Sequence, residues 1–296
     1  MNLRDEMPFT PLQCRRLFDA VLVHDEIHLD SPLPDQVHLD YSTEQLSKCY
    51  LISWQLWKEG IDRNALARSV ENIYLHQSFE PDERLVFKHV RAKFKHLRCA
   101  YTTLDRGHRL PRGFQQLTAM MGNLKDAIDN KQGATARWSA FVLGVLLTRI
   151  PFELLTLNVN AFKPATAQSF RAHILQQMDC IRRTLAKAKI TPKEFHESRK
   201  IISRQVALYD NLKILYPSNF HFNMSRYVNT INGLMGTMHD KFVIEKIAEP
   251  NRYYVNTFEM PDDLRHRLTR LSERFLELGG KGRSGINAHG LPLQAY

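Results

Sequence analysis

Residues 82–104, DERLVFKHVRAKFKHLRCAYTTL, place Arg84, Lys88, Arg91, Lys95 and Arg98 at intervals of 4, 3, 4 and 3. At about 100° per residue these five cations fall within roughly 80° of arc, a single stripe along one helix face. Val86, Val90, Phe94, Leu97 and Tyr101 read as the apolar side opposite it. Like charges one turn apart repel by a few tenths of a kcal/mol per pair, about what one favourable pair would contribute. The only acids within this segment, Asp82 and Glu83, sit at its start, and Asp105 follows its end. The stripe spans roughly 21 Å at a 1.5 Å rise per residue, a length suited to a chain of phosphates rather than one small anion.

Outward from this segment the 3.6-residue period continues in both directions. Helices are expected over residues 11–23, 43–59, 63–77, 82–104, 112–130, 135–157, 165–189, 192–215, 222–247 and 261–278. Gly60, Gly107, Gly133, Pro164, Pro192, Pro217 and Pro250 fall between them as breakers. Little strand-like alternation competes, so the fold class is all-α. Two prolines in the extended stretch 31–40 make residues 1–40 an N-terminal appendage, acidic in character. Helical repeats over 41–160 and 161–280 and a disordered, Gly-rich tail over 281–296 complete the expected organisation.

The repeat is visible residue by residue. Phe87, Arg91, Tyr101 and Leu104 return 108 positions later as Phe195, Arg199, Tyr209 and Leu212. Residues 117–126, LTAMMGNLKD, align without a gap on residues 231–240, INGLMGTMHD. A glycine inside a helix costs about 1 kcal/mol relative to alanine. Its recurrence as Gly122 and Gly236 implies that another helix approaches closely in both halves. On the second long helix His196, Arg199, Lys200 and Arg204 form a weaker counterpart of the stripe, backed by Phe195, Ile202, Val206 and Tyr209.

These segments resemble the CHAD domain, the conserved-histidine α-helical domain, over about residues 84–248. Its repeats carry His-x-x-Arg, a basic turn and a Leu-Gly-x-Leu-x-Asp-like helix. Lys88 stands where the family has histidine, followed by Arg91 and by Lys95, His96, Leu97 and Arg98; residues 110–112 and 121–126 continue the match. His196 and Arg199 fit the second copy, whereas Ser203, Gln205 and Val206 replace the lysine, leucine and arginine typical there. The resemblance implies two four-helix bundles related by pseudo-symmetry. It further implies a basic cavity that binds inorganic polyphosphate without catalysis.

Charge agrees with an anionic partner. The chain carries 41 Lys and Arg against 31 Asp and Glu, a net +10. Residues 1–40 contribute −5 of this, so the body is the more basic part. The expected partner is inorganic polyphosphate or a similar polyanion, held by Arg84, Lys88, Arg91, Lys95, Arg98, His196, Arg199, Lys200 and Arg204. Nucleic acid is the alternative, weakened because no aromatic interleaves the stripe for base stacking. A metal-dependent phosphohydrolase is a third reading, prompted by His239-Asp240; His196-Glu197 lacks the second histidine of a zinc protease, since Lys200 stands four residues on. No cofactor, no catalytic residue and no metal ligand is expected, and a protein partner for the N-terminal arm stays open. Cys14, Cys49, Cys99 and Cys180 lack metal-ligand or disulfide spacing; Cys49, Cys99 and Cys180 read as small core residues of a reducing compartment. The longest apolar run, residues 139–148, is too short for a span and reads as a buried core helix. With no secretory signal in residues 1–10, a cytoplasmic location without a membrane partner is expected.

Overall fold

A computed structural model describes residues 8–248 and 255–281 of the chain. The described residues form helices and loops, with no strand among them. In chain order the helices are α1 (Pro11–Leu22), α2 (Thr43–Glu59), α3 (Arg63–His76), α4 (Pro81–Leu104), α5 (Arg112–Asp129), α6 (Gly133–Leu146), α7 (Arg149–Asn160), α8 (Ala167–Leu185), α9 (Pro192–Leu215), α10 (Asn219–Ala248) and α11 (Asp262–Lys281). The all-α expectation holds, and the bounds of α2 and α9 coincide with those read from the sequence. Local chemistry explains the starts. Thr10 and Ser42 each form a capping box with a glutamine three residues on, and Asp62 accepts the backbone amides of Asn64 and Ala65. The expected tail lies, beyond Lys281, outside the described residues.

The chain divides into two compact units. Among the described residues the first comprises 8–23, 42–166 and 210–216; the second comprises 24–41, 167–209, 217–248 and 255–281. In the first unit α2 is buried nearly all round, which is what an apolar helix at the centre of a domain requires. Tyr50 stacks on Phe162, while Trp57 packs edge-on against Phe94 and Phe114. Tyr50 Oη donates to the Val159 carbonyl at 2.6 Å and Trp54 Nε1 to Asn160 Oδ1 at 2.8 Å, whereas the buried Trp57 Nε1 has no hydrogen-bond partner among the described residues. Residues 210–216 complete the unit. Asn211 donates to Cys49 O and Ser53 Oγ, and its Oδ1 lies 3.0 Å from His96 Nε2.

In the second unit residues 24–41 run as an extended strap. The sequence suggested an appendage, but Leu33, Val37, Leu39 and Tyr41 are buried core residues. Polar side chains of α10 and α11 explain the attachment: an extended segment cannot satisfy its own amides and carbonyls. Thr230 receives the His28 amide at 3.0 Å, Asn232 Nδ2 donates to the His24 carbonyl at 3.0 Å, and Arg267 donates to the carbonyls of Leu29 and Ser31.

The single helix expected over 135–157 is instead two, α6 and α7, meeting at 78°. Pro151 in the first turn of α7 lacks an amide to continue the helical ladder, and Thr148 turns its hydroxyl onto the Val145 carbonyl. Arg63 Nη1 then donates to Leu147 O at 2.8 Å, fixing the corner. Nor is the run 139–148 a core segment throughout, since Phe141 and Val145 are half exposed. No single helix among the described residues is long and apolar enough to cross a membrane. Among the cysteines, Cys14, Cys49 and Cys99 are buried, whereas Cys180, read as core, is partly exposed beside Arg183; all four are thiols.

Gly144 in α6 has nothing within 4 Å of where a Cβ would stand. Gly144→Ala is therefore expected to stabilise the protein by about 0.5–1 kcal/mol through reduced backbone entropy of the unfolded chain. A thermal melt should show a rise of roughly 2 °C.

Candidate functional site

The buried seam of α4 runs Phe87, Val90, Phe94, Leu97, Tyr101 and Leu104, while Val86, expected on the apolar side, is about half exposed. Each of Lys88, Arg91, Lys95 and Arg98 follows a seam residue directly. A one-residue step turns the helix by about 100°, not 180°. The cations therefore flank the seam rather than oppose it, and all but Lys88 among these four are partly buried.

The α5 helix packs beside this flank and supplies the acids that α4 lacks. Asp129 pairs with Arg84 at 2.5 Å and with Lys125 at 2.7 Å. Asp126 lies nearby, 3.7 Å from Lys125. Arg84 is thus engaged in an internal pair, contrary to a wholly uncompensated stripe. Arg91 goes deepest. Its Nη2 would stand 3.6 Å from a Cβ on Gly122 of α5. Burial lowers its pKa below the ordinary arginine value, Asp126 works against that shift, and Arg98 adds to it. Lys93, off the stripe, is diverted to structure: its Nζ donates to the Gly60 carbonyl at the end of α2 and lies over the Phe18 ring.

The arrangement recurs on α9, whose residues 192–209 belong to the second unit and 210–215 to the first. The seam positions of α4, advanced by 108, are Phe195, Ser198, Ile202, Gln205, Tyr209 and Leu212, and every one is buried. Arg199 takes the place of Arg91, its Nη2 standing 3.3 Å from where a Cβ on Gly236 of α10 would be. What comes close to both glycines is an arginine head from the preceding long helix, not a helix backbone as the sequence suggested.

His196 stacks on His239 with ring centres 5.1 Å apart. Burial, with Arg199 and His196 alongside, pushes His239 down to about 4, against a smaller opposing pull from Asp240. At neutral pH the His239 ring is therefore uncharged. The sequence singled out His239 with Asp240 as a metal candidate; Asp240 Oδ1 lies 3.6 Å from His239 Nδ1, and the other neighbours are the His196 ring and the Arg199 cation. Among the described residues no group of three or more His, Cys, Asp or Glu is arranged to hold a metal ion. Lys200 pairs with Glu197 at 2.7 Å on the outer side of α9. The departures at 203, 205 and 206 serve packing: Ser203 donates to Asn232, Gln205 to Gln177, and Val206 is core.

The structure thus brings Lys88, Arg91, Lys95 and Arg98 together on one flank of the first unit. His196 and Arg199 are brought together with His239 in the second, and Arg204 follows on the same helix, half-buried. Comparison of the chain with protein-family models, with curated proteins and with solved structures finds no match.

Proposed function

We propose that the protein binds inorganic polyphosphate or a similar polyanion, without catalysis or cofactor, in the cytoplasm. Lys88, Arg91, Lys95 and Arg98 form the principal contact surface, and His196, Arg199, Lys200 and Arg204 a second, weaker one. The observation that carries this reading is the pair of arginines, Arg91 and Arg199, each set against a glycine of the next helix in the middle of a cationic flank. A guanidinium fixed in that way presents its donors with little rotamer entropy left to lose on binding. The recurrence of the buried seam at a spacing of 108 supports reading α4 and α9 as related by internal pseudo-symmetry, and the chain as CHAD-like.

The discriminating measurement compares inorganic polyphosphate with single-stranded DNA of matched charge, at matched salt. Polyphosphate is expected to bind at least about tenfold more tightly, since the flank offers no exposed aromatic ring for base stacking. Both affinities should fall steeply with salt. Preference for DNA would move the assignment to nucleic-acid binding, and failure to bind either would remove the polyanion reading.

A further inference from the structure

Helix α6 is packed the wrong way round for a helix whose role is only to fill a core. Its buried face carries Ala136, Ser139, Ala140 and Leu143. Trp138, Phe141 and Val145, the bulky residues, face outward, and Trp138 is 63% exposed. Folding alone favours the reverse, because burying a large apolar side chain is worth about 1.5–3 kcal/mol. On α7 the outward row is Ile150, Leu154 and Leu157, spaced by 4 and 3, with Ile150 70% exposed. Both helices pack against α5, and α6 packs also against α3, where Phe141 meets the Tyr74 ring and Arg137 lies over it; Trp138 and Val145 on α6 and the row on α7 stay exposed beyond these contacts.

The charges on this face are few and mostly positive. Arg137 and Arg149 are exposed, and the one carboxylate, Glu153, is paired with Arg149 at 3.1 Å. By length and hydropathy the two helices together would suit a span, but the 78° corner held by Arg63 prevents them from forming one rod. Short helices with large apolar side chains and arginines at the margin fit the plane of a bilayer interface, where an indole sits at headgroup depth and arginines reach the phosphates.

We propose that the outward face of α6 and α7 docks on an anionic lipid surface. The occupant is argued from charge complementarity: two exposed arginines against the one carboxylate that Arg149 already pairs with leave the face net positive, which anionic headgroups meet favourably, whereas a second copy of the chain on this face would bring further like charge into one interface. The proposal departs from the expectation of no membrane partner, which weighed a span and not a face lying in the interface. It stands apart from the polyanion reading, since none of the stripe residues lies on α6 or α7.

The chain carries its own reporter. It has three tryptophans, of which Trp54 and Trp57 are buried and Trp138 is exposed. The full chain is titrated with phosphatidylcholine vesicles containing about 30 mol% phosphatidylserine, and with phosphatidylcholine vesicles alone. Expected are a blue shift of tryptophan emission, co-sedimentation with the anionic vesicles, and binding about tenfold weaker to the neutral ones. Trp138→Phe should abolish the blue shift and keep the co-sedimentation. The combined variant Trp138→Ser, Phe141→Ser, Leu154→Ser should lose at least about tenfold in vesicle affinity, since each large apolar side chain contributes substantially to interfacial binding. Its polyphosphate affinity should be unchanged, because the replaced side chains are off the stripe, and its helical far-UV dichroism should persist; a modest fall in melting temperature is expected from Phe141, which is half-buried against Tyr74. Vesicle binding by the combined variant equal to that of the parent would overturn the proposal. So would a dimer, seen by analytical ultracentrifugation without lipid, that the same substitutions abolish.

Discussion

The combined substitution Lys88→Gln, Lys95→Gln, Arg98→Gln is expected to weaken polyphosphate binding at least about tenfold, or 1.4 kcal/mol or more. Glutamine is nearly as good a helix former as the residues it replaces, and none of the three is fully buried, so the fold should persist. The log–log dependence of affinity on salt should become shallower by about two to three units if each side chain meets one phosphate. Arg91 is left in place deliberately. It is deeply set against Gly122 with Asp126 and Asp129 near it, and removing it would mix lost binding with lost packing. In the second unit, Arg204→Gln should have a smaller effect, because Ser203 and Val206 on the same helix are already committed to packing. A triple variant that binds as tightly as the parent, with the same salt slope, would reduce the stripe to a solvated helix flank.

The largest effect on stability is expected at Gly233. A Cβ there would run into the carbonyl oxygen of Asp25 and stand 2.7 Å from Ile27 Cγ1. Alanine in a helix recovers about 1 kcal/mol of propensity, but the strap must lift to admit it. Lifting residues 24–28 strains the bonds from Thr230 and Asn232 that satisfy that backbone. Overpacking against a backbone costs up to about 3 kcal/mol or more, so Gly233→Ala should destabilise the protein by about 2 kcal/mol net. The melting temperature should drop by roughly 5 °C, opposite in sign to Gly144→Ala. A melting temperature at or above that of the parent would show that the strap is not seated on α10.

These contrasts mark what periodicity carries and what it does not. Helices whose partners lie along their own length were legible: α2 and α9 begin and end where capping and proline chemistry put them. The recurrence at 108 was also legible, because a buried seam leaves a pattern in one dimension. Effects that depend on a second element were hidden. The acids facing Arg84 and Arg91 come from α5, the partner of each glycine is an arginine head, and the burial of residues 24–41 depends on hydrogen bonds from α10 and α11. Charge counting was misleading for a related reason. Lys93, Arg63 and Arg265 donate to carbonyls at the C-terminal ends of α2, α6 and α8, a favourable use of a cation at a helix end. Part of the net +10 is therefore architecture, not surface for a ligand. On α6 a continuous apolar run hid which side faced out, since periodicity cannot orient a helix that is apolar nearly throughout.

The placement of residues 210–216 bears on how the chain comes off the ribosome. The first unit owes most of its residues to the stretch before Thr166, yet His96, Ser53 and Cys49 O wait for Asn211. Nascent chains emerge at about 5–20 residues per second and contiguous domains close as they appear. Here closure is delayed by some forty residues of the other unit, during which the sockets for Asn211 and Leu212 stand open. The opposite delay applies to residues 24–41, which are made early and have no α10 to bind until its residues 219–248 are synthesised. Neither unit is a contiguous fragment, so any cut between them removes part of a core.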